Sequence, residues 1–160
     1  MEKILNTNKA IQVAKTLHEQ KLNIVLVGGC FDILHIGHIT FLQKAKVEGD
    51  VLFVFVENDQ AIKKLKGENR PINTQKDRAE ILANLSMVDY VIMLPEIDDD
   101  KTYDDLVISI KPAIIAATVG DAGRMHKERQ AQKIGAKVVD VISQISNKST
   151  TRLINILNEI

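Results

Sequence analysis

Residues 51–56 read Val-Leu-Phe-Val-Phe-Val, six apolar side chains with no polar residue between them. A strand facing water on one side alternates apolar and polar residues. A run with no alternation must be covered on both faces, as in a parallel sheet. Gly49-Asp50 before the run and Glu57-Asn58-Asp59 after it keep it to strand length. Further largely apolar stretches recur at about 24–27, 90–94, 113–119 and 137–142, separated by helical patterns. Alternation of this kind predicts an α/β domain with an open parallel five-stranded sheet and helices on both faces. Ligands of such sheets bind beyond the carboxyl ends of the strands.

The helical stretches carry their own signals. Residues 1–22 are expected to contribute a helix packed on the core, capped by Thr7 or Asn8 and bearing Ile11, Val13, Ala14 and Leu17. A helix over 37–48 places Ile39, Leu42 and Ala45 on one face, with Phe41 beside them. Another begins at Thr74 and points Ile81, Leu82 and Leu85 inward. Further helices are expected to about Ile110, from about Arg124 to Ile134, and from Ser149 to the end. The 160 residues read as a single domain over 1–160, long enough to bury a sizeable core.

Bulk properties remove several classes. Twenty-one basic residues balance 21 acidic ones, so no global field marks a nucleic-acid or membrane binder. Cys30 is the only cysteine, which excludes an internal disulfide and a zinc–thiolate cluster. No apolar run approaches the roughly 20 residues of a membrane span. The first residues lack a secretory signal pattern. A cytoplasmic enzyme is the expected class.

The chemistry concentrates where the first apolar run ends, at Val27-Gly28-Gly29-Cys30-Phe31-Asp32-Ile33-Leu34-His35-Ile36-Gly37-His38. Paired glycines at a strand end let a ligand approach the backbone, because no Cβ intervenes. The helix that follows presents free N–H groups and the positive end of its dipole, a ready anion site. His35 and His38, delivered to the same spot, can donate to phosphate oxygens as negative charge builds. Ser149-Thr150-Thr151-Arg152 opens the last helix. One hydroxyl there is accounted for as a cap, but three suit a polyphosphate. Lys63 and Lys64 read as a solvated basic face. Lys66, before the Gly67 loop, and Arg78 are better candidates for substrate phosphate, Lys66 as a mobile cation and Arg78 as a bidentate grip.

Gly29-Cys30-Phe31-Asp32 followed by His35-Ile36-Gly37-His38 resembles the signature of the cytidylyltransferase-like nucleotidyltransferases. His-x-Gly-His is shared with class I aminoacyl-tRNA synthetases, but that reading is not expected, because these 160 residues leave none over for a tRNA-binding domain. Residues 145–152 resemble the family's second motif, with Asn147 and Lys148 intervening before the hydroxyl run. Lys64-Leu65-Lys66-Gly67-Glu68-Asn69-Arg70-Pro71-Ile72-Asn73, with Asp77-Arg78 and Val88-Asp89-Tyr90-Val91, is similar to the adenylyltransferase domains of ADP-heptose synthases. Glycerol-3-phosphate cytidylyltransferases usually carry an arginine where this chain has Ser143, and its absence favours ATP over CTP. The chain departs from the heptose enzymes at Gly28, usually Asn, and at the turn Thr118-Val119-Gly120-Asp121-Ala122-Gly123.

The resemblance implies a Rossmann-like fold and transfer of a nucleotidyl group from ATP or CTP to a phosphorylated small-molecule acceptor, with heptose 1-phosphate as the leading acceptor. It implies His35, His38 and Lys66 as catalytic residues, and Gly28, Gly29, Cys30, Phe31, Gly120, Asp121, Ser149, Thr150 and Thr151 as nucleotide contacts. Asp32, Lys66 and Arg78 are expected to serve the acceptor. Mg²⁺ would accompany the triphosphate, with no dedicated metal site, and a homodimer is expected. The rival readings are a polyol- or amino-alcohol-phosphate cytidylyltransferase and, from a different class, a non-catalytic nucleotide-binding regulator.

Overall fold

The computed structural model describes residues 2–143 and 149–158. Its order is β1 (Ile4–Leu5), α1 (Thr7–Glu19), β2 (Ile24–Gly29), α2 (Ile36–Lys46), β3 (Val51–Val56), α3 (Asp59–Lys66) and α4 (Gln75–Ala83). Then come β4 (Tyr90–Met93), α5 (Asp100–Ile110), β5 (Ile114–Thr118), α6 (Arg124–Ile134), β6 (Lys137–Ile142) and α7 (Thr150–Asn158). All strand pairs are parallel, in the order β1-β4-β3-β2-β5-β6. The sheet therefore has six strands, where five were expected. The added strand is Ile4–Leu5, which pairs with Val91 and Ile92 at one edge. Two residues are too few to show a period, so their strand character comes from the partner.

Side chains of the central strands alternate between two cores. Ile24, Leu26, Phe53 and Phe55 face α1, α5 and α6, where Ala14, Leu106 and Ile110 lie buried. Val25, Val27, Leu52 and Val54 face α2 and α4, meeting Leu42, Ala45 and Leu82. Every residue of β3 is buried, as its unbroken apolar run requires. Two local expectations change. The cap of α1 is Asn6, whose side chain accepts from the Lys9 backbone N–H at 2.9 Å. Ile81 is 43% exposed, because α4 turns Ala79 and Leu82 to the sheet instead.

From β2 the chain winds outward through β3 to β4, then crosses back to place β5 on the other side of β2. The β2–β5 boundary is the topological switch point, where the connections leaving adjacent strands diverge and open a crevice. Gly28-Gly29 and Gly120-Asp121 flank it.

Candidate active site

Two adjoining clefts open at the carboxyl ends of the strands, with Gly28, Gly29, Cys30, Asp121 and Lys127 shared between them. The first, of about 450 Å³, gathers His35, His38, Lys66, the 118–122 turn, Ile142 and Ser143. The second, of about 460 Å³, extends under α3 and α5 and takes in Glu57, Tyr103 and Arg129.

In the histidine cleft both imidazoles have defined roles. His35 is the N-cap of α2, and its Nδ1 accepts from the Gly37 N–H at 3.1 Å. His38, three residues on, reaches back so that its Nδ1 accepts from the His35 N–H at 3.3 Å. The arrangement is a capping box built from imidazoles in place of hydroxyl and carboxylate. An Nδ1 that accepts leaves the ring proton on Nε2, so each neutral ring is a donor at its far nitrogen. The rings lie 3.9 Å apart between centroids. Burial first, then the charges of His35 and Lys66, pulls the His38 pKa down to about 4. His38 is therefore a neutral donor at physiological pH.

Phe31 holds this pair from below. It is buried in the left-handed region, at φ 47°, and its ring meets the His38 ring at 5.6 Å. A buried non-glycine residue there is a local strain, and Phe31 carries it in the wall of the cleft. A Cβ on Gly29 would stand 3.1 Å from the Phe31 ring, and one on Gly28 would stand 3.2 Å from the Tyr103 hydroxyl. A side chain at either glycine would therefore crowd its neighbour. Burial chiefly raises the Cys30 pKa, against the opposing pull of Lys66, so its thiol stays protonated.

Asp32 and Arg78 hold the loops that build the cleft. The Asp32 carboxylate, 2% exposed, accepts from Arg70 Nε at 2.8 Å and from the N–H groups of Ile72 and Asn73. Burial alone would raise its pKa, but these donors hold it below the usual carboxylate range. Asp32 lines the cleft while its charge is spent on the 70–73 loop. Arg78 is fully buried and lies outside both linings. Its guanidinium donates to the carbonyls of Cys30 (2.5 Å), Glu57 (2.7 Å) and Asn73 (3.1 Å) and to the Asp59 carboxylate (2.7 Å). The expected grip of Arg78 on substrate phosphate is corrected by this geometry. Its donors tie together the ends of β2 and β3 and the loop before α4. Lys66 fits the expectation better, exposed at the end of α3 and lining the histidine cleft.

On the far wall Gly120 has φ +76°, the left-handed turn that glycine permits. Asp121 accepts from the Gly123 N–H and pairs with Lys127. Ser149 caps α7 by accepting from the Arg152 N–H at 3.2 Å. Ser149 and Thr151 are exposed and line neither cleft, whereas residues 144–148, with the Asn147-Lys148 insertion, and the Thr150 side chain lie outside what is described. Glu57, Tyr103 and Lys127 are site residues that the sequence did not single out for this chemistry. Their signal was positional: Glu57 directly follows β3, while Tyr103 and Lys127 lie one turn into helices that follow strand ends.

Imidazole donors at a helix start, a glycine-walled switch point and a lysine share one cleft at the strand ends of a Rossmann-like nucleotidyltransferase fold. The chain belongs to the cytidylyltransferase-like family, whose model matches residues 26–156. It is 45% identical over 142 residues to the bifunctional protein HldE of Nitratiruptor sp. and 41% identical over 152 residues to that of Helicobacter pylori. These matches cover 89% and 95% of this chain but 29% and 30% of the relatives, so it spans under a third of their length. Among solved structures, a lipopolysaccharide core biosynthesis protein from Thermoplasma volcanium is 32% identical, with a TM-score of 0.61 over 80% of this chain and 99% of its own. A pantoate–β-alanine ligase from Francisella tularensis, 19% identical with a TM-score of 0.61 over 100% of this chain and 79% of its own, shares the fold.

Proposed function

We propose that this nucleotidyltransferase transfers AMP from ATP to a sugar phosphate, with heptose 1-phosphate as the leading acceptor. The acceptor's phosphate oxygen attacks the α-phosphorus, the bond from that phosphorus to the bridging oxygen breaks, and pyrophosphate leaves with the electron pair. The nucleophile is already anionic, so the reaction needs alignment and charge stabilisation more than a base. The observation that carries this reading is the imidazole capping box. It fixes two Nε2–H donors at the positive end of α2, where a triphosphate's α- and β-oxygens would lie. Lys66 adds a cation from across the cleft, and the Gly28-Gly29 backbone admits the nucleotide.

Magnesium would enter with the triphosphate, with phosphate oxygens and water as its main ligands. ATP is favoured over CTP by Ser143, which lines the cleft where related cytidylyltransferases carry arginine. The acceptor reading draws on the sequence likeness to the ADP-heptose synthase domain and on the relatives' names. Its test is pyrophosphate release with ATP or CTP against heptose 1-phosphate, other sugar phosphates and glycerol 3-phosphate. Turnover of ATP with heptose 1-phosphate is expected. Turnover confined to CTP with a polyol phosphate would overturn the donor and acceptor together, and nucleotide binding without any turnover would favour a regulator.

A further inference from the structure

The second cleft has a floor of Leu26, Ile62 and Ile115, with charged groups around it. Almost all of those charges are already committed. Asp104 is buried and accepts from Arg129, Gln130 and Lys133, while Asp100 faces His126 and Arg129. Asp98 pairs with Lys64, Asp99 caps α5, and Asp121 pairs with Lys127. Glu57 differs. Among the described residues its carboxylate has neither an ion pair nor a hydrogen bond, although its own carbonyl is held by Arg78 and its N–H by Gly29. Burial raises its pKa, with Arg78 pulling the other way.

Tyr103 stands with it. The ring packs edge-on against Phe55 at 6.0 Å, and the hydroxyl reaches the strand end at Gly28, where a Cβ would meet it at 3.2 Å. That hydroxyl makes no hydrogen bond among the described residues, and the Glu57 charge adds to burial in raising its pKa. An acceptor oxygen pair and a phenolic donor thus stand unpaired in an apolar-floored cleft. Gly28 and Gly29 line both this cleft and the histidine cleft beside it.

We propose that Glu57 and Tyr103 are the specificity-determining pair for the acceptor, reading hydroxyl groups of its sugar or polyol moiety. Glu57 accepts from acceptor hydroxyls and Tyr103 donates to an acceptor oxygen, while the acceptor's phosphate lies at the shared wall facing the imidazoles. Unpaired half-buried groups of this kind discriminate between acceptors, because one lacking the matching hydroxyl would cover them without satisfying them. The acceptor class that fits is a polyhydroxylated phosphate. An alkyl or aminoalkyl phosphate would bury its chain against both groups without satisfying them. This inference rests on the nucleotidyl-transfer reading above.

The test compares wild type, Glu57→Gln and Tyr103→Phe, both near-isosteric, by pyrophosphate release and by calorimetric titration of the acceptor into protein saturated with a non-hydrolysable triphosphate. Wild type is also assayed with singly deoxygenated acceptors. Each variant should raise the acceptor's KM and Kd about tenfold or more, with the triphosphate's KM held within about twofold. The deoxy acceptor that wild type discriminates against should lose no further affinity in the matching variant. Normal acceptor affinity in both variants would overturn the pair's role while leaving nucleotidyl transfer intact. Wild-type binding of triphosphate with no binding or turnover of any hydroxylated phosphate would overturn both readings.

Discussion

At the scale of single residues, the site depends on where two protons sit. Backbone N–H groups occupy Nδ1 of both His35 and His38, so the donors are placed before any ligand arrives. Replacing His38 with Ala should lower kcat about 10²–10³-fold, the usual cost of removing one preorganised transition-state donor, with a much smaller loss of ATP affinity. Steady-state kinetics beside equilibrium ATP binding would decide it. Equal losses in both would reduce His38 to a ground-state contact. The same residue should mark the pH dependence of stability. Its folded pKa, near 4, lies below the ordinary 6.5, so the unfolded chain binds the extra proton first. Stability should therefore fall as pH drops from about 6.5 towards 4, and urea unfolding of His38→Gln should show a shallower decline over that window. An unchanged profile would show that the imidazole is not held neutral by the fold.

At the scale of elements, the cleft is held together by two charged clasps. Arg78 joins the ends of β2 and β3 to the start of α4, and Asp32 fastens the 70–73 loop to the β2–α2 turn. Arg78→Ala would strand three carbonyls and a carboxylate, and should destabilise the fold by about 3 kcal/mol or more in denaturant unfolding. Arg78→Lys supplies the discriminating measurement. A phosphate-gripping arginine replaced by lysine would raise the substrate KM at unchanged stability, whereas the buried clasp predicts a stability loss first. The contrast shows how far the sequence was legible. Unbroken apolar runs disclosed the strands, and Gly-Gly with His-x-Gly-His disclosed the turn from β2 into α2 that lines the cleft, because both signals are local. The inward turn of Arg78 depends on carbonyls up to 48 residues away. A two-residue edge strand likewise exists only through its pairing with β4. Long-range partners of this sort leave no period in the sequence.

At the scale of the whole molecule, the placement of the site follows from the order in which strands were added to the sheet. Every parallel strand presents its carboxyl end on one side, but connections diverge only between β2 and β5. A ligand filling that cleft would meet β2, α2 and the turns after β5 and β6 at once, through Gly29, His38, Gly120 and Ser143. The β1–β4 edge and α1 take no part. Nucleotide binding should therefore stabilise the molecule globally, while changing local protection in two separate stretches of sequence. At a ligand concentration a hundredfold above Kd, mass action contributes about 2.7 kcal/mol, or roughly 5–10 °C in Tm for a chain of this length. Hydrogen exchange with a non-hydrolysable ATP analogue should slow amides of 28–38 and 118–121 together, beyond the uniform shift that global stabilisation gives. His38→Ala should keep most of the Tm gain, because the backbone wall and the helix terminus remain. Protection limited to the 28–38 turn would mean that the nucleotide does not bridge the switch point, and the base would then have to lie elsewhere than against the β5 turn.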